Sequence, residues 1–307
     1  RHYGVRFDKW SRESTLHSEG KVDRAIELLR ERGYVYDKDD AVWFKSTEFG
    51  DEKDRVVVRS NGEKTYFASD IAYHMDKHER GFERAINIWG ADHHGYVPRM
   101  KGVIKALGYG DDFLECLVHQ MVSLVRDGRE VKMSTREGRF VTLDELVSDV
   151  GLAVTRFFFV MRSSDSHLVF DLDLAKKESN ENPVYYIQYA HARISSIMKH
   201  AKEEDIDLTG LSEADLSLLA EPEEIELIKQ LSRFSSTVEA AAERREVHRI
   251  PTFILDMVGL FHAYYNKHRV VSDNEPLTQA RLALVEAVRQ VVKNALGLLG
   301  IEAPERM

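Results

Sequence analysis

The hydrophobic pattern of the chain changes near Glu181, and this change constrains the fold more than any other feature of the sequence. Before it, the pattern predicts a buried strand over residues 85–89, a helix over about 95–107 and further strands over 114–125. This alternation is typical of a parallel α/β sheet. After it, helical apolar periodicity dominates, with almost no strand signal. We therefore predict an α/β domain over residues 1–178 and an all-α helical bundle over residues 179–307.

Local signals add detail to this outline. An Asn61-Gly62 turn between β-prone segments predicts a hairpin over residues 55–67. Ser69 or Asp70 is then expected to cap a helix that runs to about residue 79. A capping-box pattern at Thr142 predicts another helix start. The predicted helices of the bundle cover residues 181–202, 222–245, 251–268 and 277–299.

Composition narrows the class of protein. The 307 residues suffice for two domains, and no apolar run reaches the length of a membrane span. The single cysteine, Cys116, excludes an intrachain disulfide and fits a reducing compartment, so we expect a cytoplasmic protein. The net charge of −9 argues against a general nucleic-acid coat but allows a specific RNA binder with a local basic patch. Because the first residue is Arg1, we expect the chain to begin inside a longer polypeptide.

A basic segment, residues 131–138, carries two cations four positions apart, Lys132 and Arg136, on either side of Ser134. Glycines bracket the segment. A bound triphosphate requires positive charge and hydrogen-bond donors on a loop that can close over it. The two cations supply the charge, and the Ser134 hydroxyl and the backbone N–H groups supply the donors. A solvated β-turn with two surface cations is the other interpretation.

Glu13, Tyr66 and Asp70 form a second candidate group. Two carboxylates with a phenol between them match a planar guanidinium, which needs bidentate acceptors and a flat face. The alternative is that Asp70 caps a helix and Glu13 is a surface acid.

The histidines after the predicted strand at 85–89 allow more than one interpretation. Asp92, His93 and His94 follow its carboxyl end, where α/β sheets bind ligands, and they could line a pocket or cap a helix. With Cys116 and His119 they could instead hold zinc, although adjacent histidines do not readily ligate one ion.

Aromatic residues interleave with basic ones at two places in the predicted bundle. Tyr186, Tyr189 and Arg193 lie near the start of its first helix, and Tyr265 lies near the end of another. Such residues can stack on unpaired bases, although helical aromatics are more often part of a core.

Five segments in the same order and spacing resemble the bacterial arginyl-tRNA synthetase family. They are residues 66–74, 89–96, 131–136, 171–173 and 182–193. The resemblance covers essentially the whole chain and implies a class I synthetase, in which a Rossmann-type catalytic domain precedes an α-helical anticodon-binding domain. Residues 132–136, Lys-Met-Ser-Thr-Arg, match that family's Lys-Met-Ser-Lys-type signature, with Thr135 at a variable position.

The resemblance also implies roles for individual residues. The catalytic residues are Lys132, Ser134 and Arg136. The arginine-binding residues are Glu13, Tyr66, Asp70 and His93. The ATP-binding residues are Gly90, Asp92, His93, Lys132 and Met133. The tRNA-binding residues are Tyr186, Tyr189, Arg193, Tyr265 and Met307. No resident metal is implied; Mg²⁺ accompanies ATP, and the partners are arginine, ATP and tRNA-Arg.

One departure from the family matters. The His-Ile-Gly-His-type signature that binds ATP does not occur in the sequence, and neither does the first half of the nucleotide fold. We therefore expect the C-terminal portion of an arginine–tRNA ligase, with little independent ligase activity. The alternatives are a non-catalytic tRNA-binding or scaffold module derived from such an enzyme, and a zinc hydrolase that uses His93, His94 and Cys116.

Overall fold

A computed structural model describes residues 3–131 and 141–307, which fall into two compact units. The N-terminal unit is Arg6–Met121, and the C-terminal unit joins Val122–Met307 to the first residues of the chain. The predicted phosphate-binding residues lie outside the described residues: Lys132, Met133, Ser134 and Arg136. None of the helices in the described ranges is long and apolar enough to cross a membrane.

The N-terminal unit combines an antiparallel sheet, a parallel strand pair, four α-helices and two short 3₁₀ helices. Its strands are β1 (Val35–Lys38), β2 (Ala41–Phe44), β3 (Arg55–Val58), β4 (Ala85–Gly90) and β5 (Leu114–His119). Its helices are α1 (Glu13–Ser18), α2 (Lys21–Glu31), α3 (Tyr66–Glu79) and α4 (Val97–Ala106). Strands β1, β2 and β3 pair antiparallel in that order, while β4 and β5 pair in parallel with Gly90 opposite His119. The predicted parallel alternation is therefore confirmed here. The prediction that the first of these strands is buried was wrong for one face of β4, where Ile86 and Ile88 are exposed.

Helix α3 starts earlier than its sequence predicts. The expected hairpin is reduced to one bridge between Val58 and Lys64, and Tyr66 is the first residue of the helix rather than the end of a strand. Thr65 is the cap, because its hydroxyl accepts a hydrogen bond from the Ala68 amide at 3.4 Å. The prediction of a cap at Ser69 or Asp70 was wrong. Tyr66 and Asp70 consequently lie one turn apart on the same side of α3.

The C-terminal unit combines a small mixed sheet with a helical bundle. Its strands are β6 (Val122–Arg126), β7 (Arg129–Glu130) and β8 (Leu168–Asp171). Its helices are α5 (Leu143–Val150), α6 (Leu152–Val160), α7 (Leu172–Ala175), α8 (Pro183–Glu203), α9 (Pro222–Ser232), α10 (Phe234–Arg244), α11 (Arg249–Lys267) and α12 (Glu275–Leu298). Thr142 and Glu145 form the predicted capping box. The helix predicted over 222–245 is two helices, with a break at Arg233.

One hydrophobic core joins the sheet of the C-terminal unit to its helical bundle. Phe157 of α6 and Phe170 of β8 are fully buried in the same cluster as Phe261 and Val285 of the bundle. The boundary between the compact units therefore lies at residues 121 and 122. The division at 178 and 179 rests on the change of sequence pattern and stays a prediction.

Three side chains fix the C-terminal tail through its backbone carbonyls. Arg156 donates to the carbonyl oxygen of Leu299 at 2.8 Å, Gln188 to that of Glu302 at 3.0 Å, and His191 to that of Pro304 at 2.8 Å. Because Gln188 and His191 belong to α8, the tail follows the helix that carries most of the predicted RNA-binding residues.

Candidate functional site

Glu13, Tyr66 and Asp70 line one cavity of about 210 Å³ in the N-terminal unit. Helix α1 supplies the first carboxylate, while α3 supplies the phenol and the second carboxylate. Tyr66 is 80% exposed and Glu13 is exposed, whereas Asp70 is partly buried. The structure thus brings together two acids and a phenol that are far apart in the sequence, with Asp70 as the more enclosed acid.

The Asp70 carboxylate accepts a hydrogen bond from the hydroxyl of Tyr96 at 2.6 Å. Burial raises the pKa of Asp70, and the negative charge of Glu13 adds to that rise. The bond from Tyr96 and the electrostatic influence of Lys77 and His93 act in the opposite direction. Asp70 is therefore a carboxylate that would gain from a cationic ligand, because such a ligand offsets both its burial and its acidic neighbour.

A buried polar chain supports the Asp70 turn of α3. The His74 Nδ1–H donates to the backbone carbonyl of Asp70 at 2.7 Å, and its Nε2 accepts from the Asn87 amide at 2.8 Å. Burial is the main reason that the pKa of His74 falls to about 4, so the ring is neutral and keeps this tautomer. Lys77 donates to the Asn87 carbonyl oxygen at 3.0 Å. The chain ties α3 to strand β4.

The carboxyl end of β4 carries the residues predicted to contact ATP. Gly90 ends the strand, and a Cβ at this position would lie 2.6 Å from a carboxylate oxygen of the exposed Asp92, so a larger residue here would displace that side chain. Asp92 and His93 are exposed on the 3₁₀ helix that follows, with the His93 ring 6.3 Å from that of Tyr96. Their roles toward ATP and arginine stay predictions.

The zinc alternative finds no support in the part of the chain that the structure describes. His93, His94, Cys116 and His119 do not belong to any group of three potential ligand atoms within 4.8 Å of one another. A group of that kind does occur in the C-terminal unit, at Glu221, Glu223 and His268. There the Glu223 carboxylate is already paired with Lys267 and His268, which lower its pKa to about 2.

An aromatic cluster in the C-terminal unit brings together four of the five predicted tRNA-binding residues. The Arg193 guanidinium lies 4.7 Å from the Tyr189 ring centroid and 4.9 Å from that of Tyr265. His262 lies 4.8 Å from Tyr186 and 6.1 Å from Tyr189, ring to ring. All four predicted residues are partly exposed, so the cluster offers planar faces and a cation at a surface.

Met307, the fifth predicted residue, is 56% exposed at the end of the tail. The ring contacts of the cluster do not include it. The bond from His191 to Pro304 nevertheless fixes the tail three residues before it. Its contact with RNA stays a prediction.

Two residues of these sites carried no assigned role at the sequence level. Tyr96 contacts Asp70, which lies 26 residues earlier in the sequence. The only sequence feature that pointed to Tyr96 was its place in the family-like segment 89–96. His262 lies among the tyrosines although nothing in its own segment marks it.

Family comparisons agree with this architecture. Residues 5–191 match the model of "tRNA synthetases class I (R), catalytic domain", and residues 187–307 match that of the "DALR anticodon binding domain". The N-terminal unit has a parallel strand pair with Gly90, Asp92 and His93 at the carboxyl end of β4, and a helical bundle follows it. This is the architecture of a class I synthetase. The chain belongs to the arginine-specific family of class I tRNA synthetases, R being the one-letter symbol for arginine.

Individual relatives are similar along the whole chain. The arginine–tRNA ligase of Desulforamulus reducens is 54% identical over 305 residues, which are 99% of this chain and 54% of that protein. The arginine–tRNA ligase of Moorella thermoacetica is likewise 54% identical, with the same coverage. The Thermus thermophilus arginyl-tRNA synthetase structure shares the fold, with a TM-score of 0.84 at 24% identity, over 100% of this chain and 61% of that one. The chain spans about half the length of the curated relatives that it matches.

Proposed function

We propose that the chain is the C-terminal part of an arginine–tRNA ligase and that the N-terminal cavity holds the arginine side chain. The observation that carries this proposal is the convergence of Glu13, Tyr66 and Asp70 on one cavity of about 210 Å³. This volume is below the roughly 300–1,000 Å³ of pockets for drug-sized ligands, which suits a single amino-acid side chain.

The cavity has the chemistry for selecting a guanidinium. Arginine presents five N–H donors in a rigid plane, whereas lysine presents one ammonium group and citrulline is uncharged. If citrulline binds, the Asp70 carboxylate, which burial already disfavours, gains no positive charge from the ligand. Selection of this kind can reach about 10⁴-fold without an editing step.

In the proposed reaction, the arginine carboxylate attacks the α-phosphate of ATP, which enters with its Mg²⁺, and pyrophosphate leaves. A hydroxyl of the terminal tRNA ribose then takes the arginyl group and AMP is released. Gly90, Asp92 and His93 at the end of β4 are proposed to contact the nucleotide, and Lys132, Ser134 and Arg136 to stabilise the phosphate charge. We place this reaction in the cytoplasm.

Binding experiments test the arginine pocket on the chain itself. Isothermal titration calorimetry should show arginine binding that is at least about 100-fold tighter than citrulline binding. Equal affinity for the two ligands, or no arginine binding, would refute the pocket. Because the chain spans half of its relatives, we expect little pyrophosphate exchange with arginine, ATP and tRNA-Arg, and exchange at the rate of a full-length relative would contradict this.

A non-catalytic tRNA-binding module is the second candidate. The cluster of Tyr186, Tyr189, Arg193 and Tyr265 favours it, because it needs nothing from the N-terminal unit. Tight tRNA-Arg binding by a chain that binds no arginine would support this function over the first.

A further inference from the structure

We propose that Tyr96 is a positioning residue of the arginine pocket, whose hydroxyl holds the Asp70 carboxylate by one oxygen and leaves the other available to the guanidinium. The inference rests on the proposed function and extends it to a residue that does not line the cavity. The contact that carries it is the hydrogen bond of 2.6 Å from the Tyr96 hydroxyl to Oδ2 of Asp70.

The Tyr96 ring is itself held on several sides. The Arg99 guanidinium lies 5.0 Å from its centroid, and Arg99 Nε donates to the partly buried Asp51 carboxylate at 3.1 Å. The Trp89 ring lies 5.6 Å away and the Phe67 ring 6.1 Å away, centroid to centroid. The phenol therefore cannot swing freely, and its hydroxyl fixes Asp70 from one direction.

This hydrogen bond also favours the charged form of Asp70. The groups that face the carboxylate are Tyr96, Glu13, Lys77 and His93. Burial and Glu13 favour the neutral acid, while the Tyr96 hydroxyl favours the carboxylate. Because burial and the Asp70 charge raise the pKa of Tyr96, its hydroxyl stays protonated and remains a donor across the useful pH range.

Removal of the hydroxyl should therefore weaken arginine binding in a pH-dependent way. In the variant Tyr96→Phe, the pKa of Asp70 should rise, because the bond that stabilises the charged form is gone. Arginine requires the carboxylate, so the affinity of the variant should fall at a higher pH than that of the parent as the solution is acidified. At neutral pH, the Asp70 carboxylate of the variant is no longer oriented by the hydroxyl, so the variant should bind arginine roughly tenfold more weakly than the parent.

The experiment combines two measurements on the chain. Carbon-13 NMR of the aspartate carboxyls reports the Asp70 titration without any ligand, and calorimetry with arginine from pH 5 to 8 reports affinity. The matched control is Tyr36→Phe, which removes a phenol–carboxylate hydrogen bond of 2.9 Å, to Asp54, outside the cavity. The control should leave both the Asp70 titration and arginine affinity unchanged.

The outcomes separate the two proposals. If the parent binds arginine and Tyr96→Phe shows the same Asp70 titration and affinity, the role of Tyr96 is refuted while the pocket stands. If Tyr36→Phe lowers affinity as much as Tyr96→Phe, the effect is general and the positioning role is also refuted. If the parent binds no arginine, the proposed pocket fails, and the role of Tyr96 fails with it.

Discussion

Replacement of Asp70 by asparagine is the sharpest test of the arginine pocket. The substitution keeps the size of the side chain and an acceptor for the Tyr96 hydroxyl, but it removes the negative charge. Asp70 is partly buried, so an effective dielectric constant near 20 applies. A charge pair at about 4 Å is then worth about 4 kcal/mol. With a discount for partial exposure, arginine binding should weaken by about 2–4 kcal/mol, or roughly 30- to 1,000-fold.

The same reasoning ranks the two acids of the cavity. Glu13 is exposed, so solvent screens its charge and the variant Glu13→Gln should lose less than about tenfold in arginine affinity. Asp70→Asn should also leave the free energy of unfolding unchanged or slightly raised near pH 7. The reason is that burial raises the pKa of Asp70, so its ionisation costs stability above that pKa.

Calorimetry with arginine and thermal denaturation measure both effects. The control is Asp37→Asn, which makes the same change of charge at an exposed carboxylate bonded to Arg30. The assignment would be refuted if Asp70→Asn bound arginine as tightly as Asp37→Asn, or if Glu13→Gln were the more damaging of the two pocket variants.

Three further predictions concern stability and RNA binding. Two arginines hold the pKa of Asp51 at about 2, so its contribution of about 1–2 kcal/mol to the free energy of unfolding should disappear between pH 5 and pH 2. Denaturant titrations of the parent and Asp51→Asn should converge at low pH, and a constant difference would contradict this. Arg281→Met should lower stability by about 3–5 kcal/mol, because it leaves the fully buried Glu224 without its cationic partner. The double variant Arg281→Met with Glu224→Leu should recover most of this loss, and a double variant as unstable as the single one would contradict the prediction. Arg193→Lys keeps the charge but loses the planar guanidinium, so tRNA-Arg affinity measured by fluorescence anisotropy should fall roughly three- to tenfold with arginine binding unchanged; unaltered tRNA affinity would remove Arg193 from the RNA surface.

Much of the architecture was predictable because it is encoded locally. A short apolar run identified the strand, predicted over 85–89 and found over 85–90, and period-3.6 patterns identified the helices of the bundle. The capping box at Thr142 was equally local. The grouping of Glu13, Tyr66 and Asp70 was predicted from the chemistry of a guanidinium together with the family resemblance, and one cavity contains all three.

The errors arose where tertiary or competing local interactions decide. Ser69 and Thr65 are both good helix caps, and the hydrogen bond from Ala68 selected Thr65. The break at Arg233 interrupts a run whose apolar periodicity continues on both sides. The core shared by Phe157 and Phe261 could not be predicted, because an amphipathic pattern shows that a face is buried but not what covers it. The contact from Tyr96 to Asp70 is of the same tertiary kind.

The two candidate sites use the same pair of chemical groups with their roles exchanged. In the N-terminal unit, phenols and carboxylates belong to the protein, and the proposed ligand supplies the guanidinium. In the C-terminal unit, the protein supplies the guanidinium of Arg193 between two phenol rings, and an unpaired base would supply the further planar face. The four residues of the second cluster offer no carboxylate to the guanidinium of free arginine, whereas the N-terminal cavity offers two. The aromatic cluster should therefore bind free arginine poorly, which predicts that a molar excess of arginine does not displace tRNA from the chain.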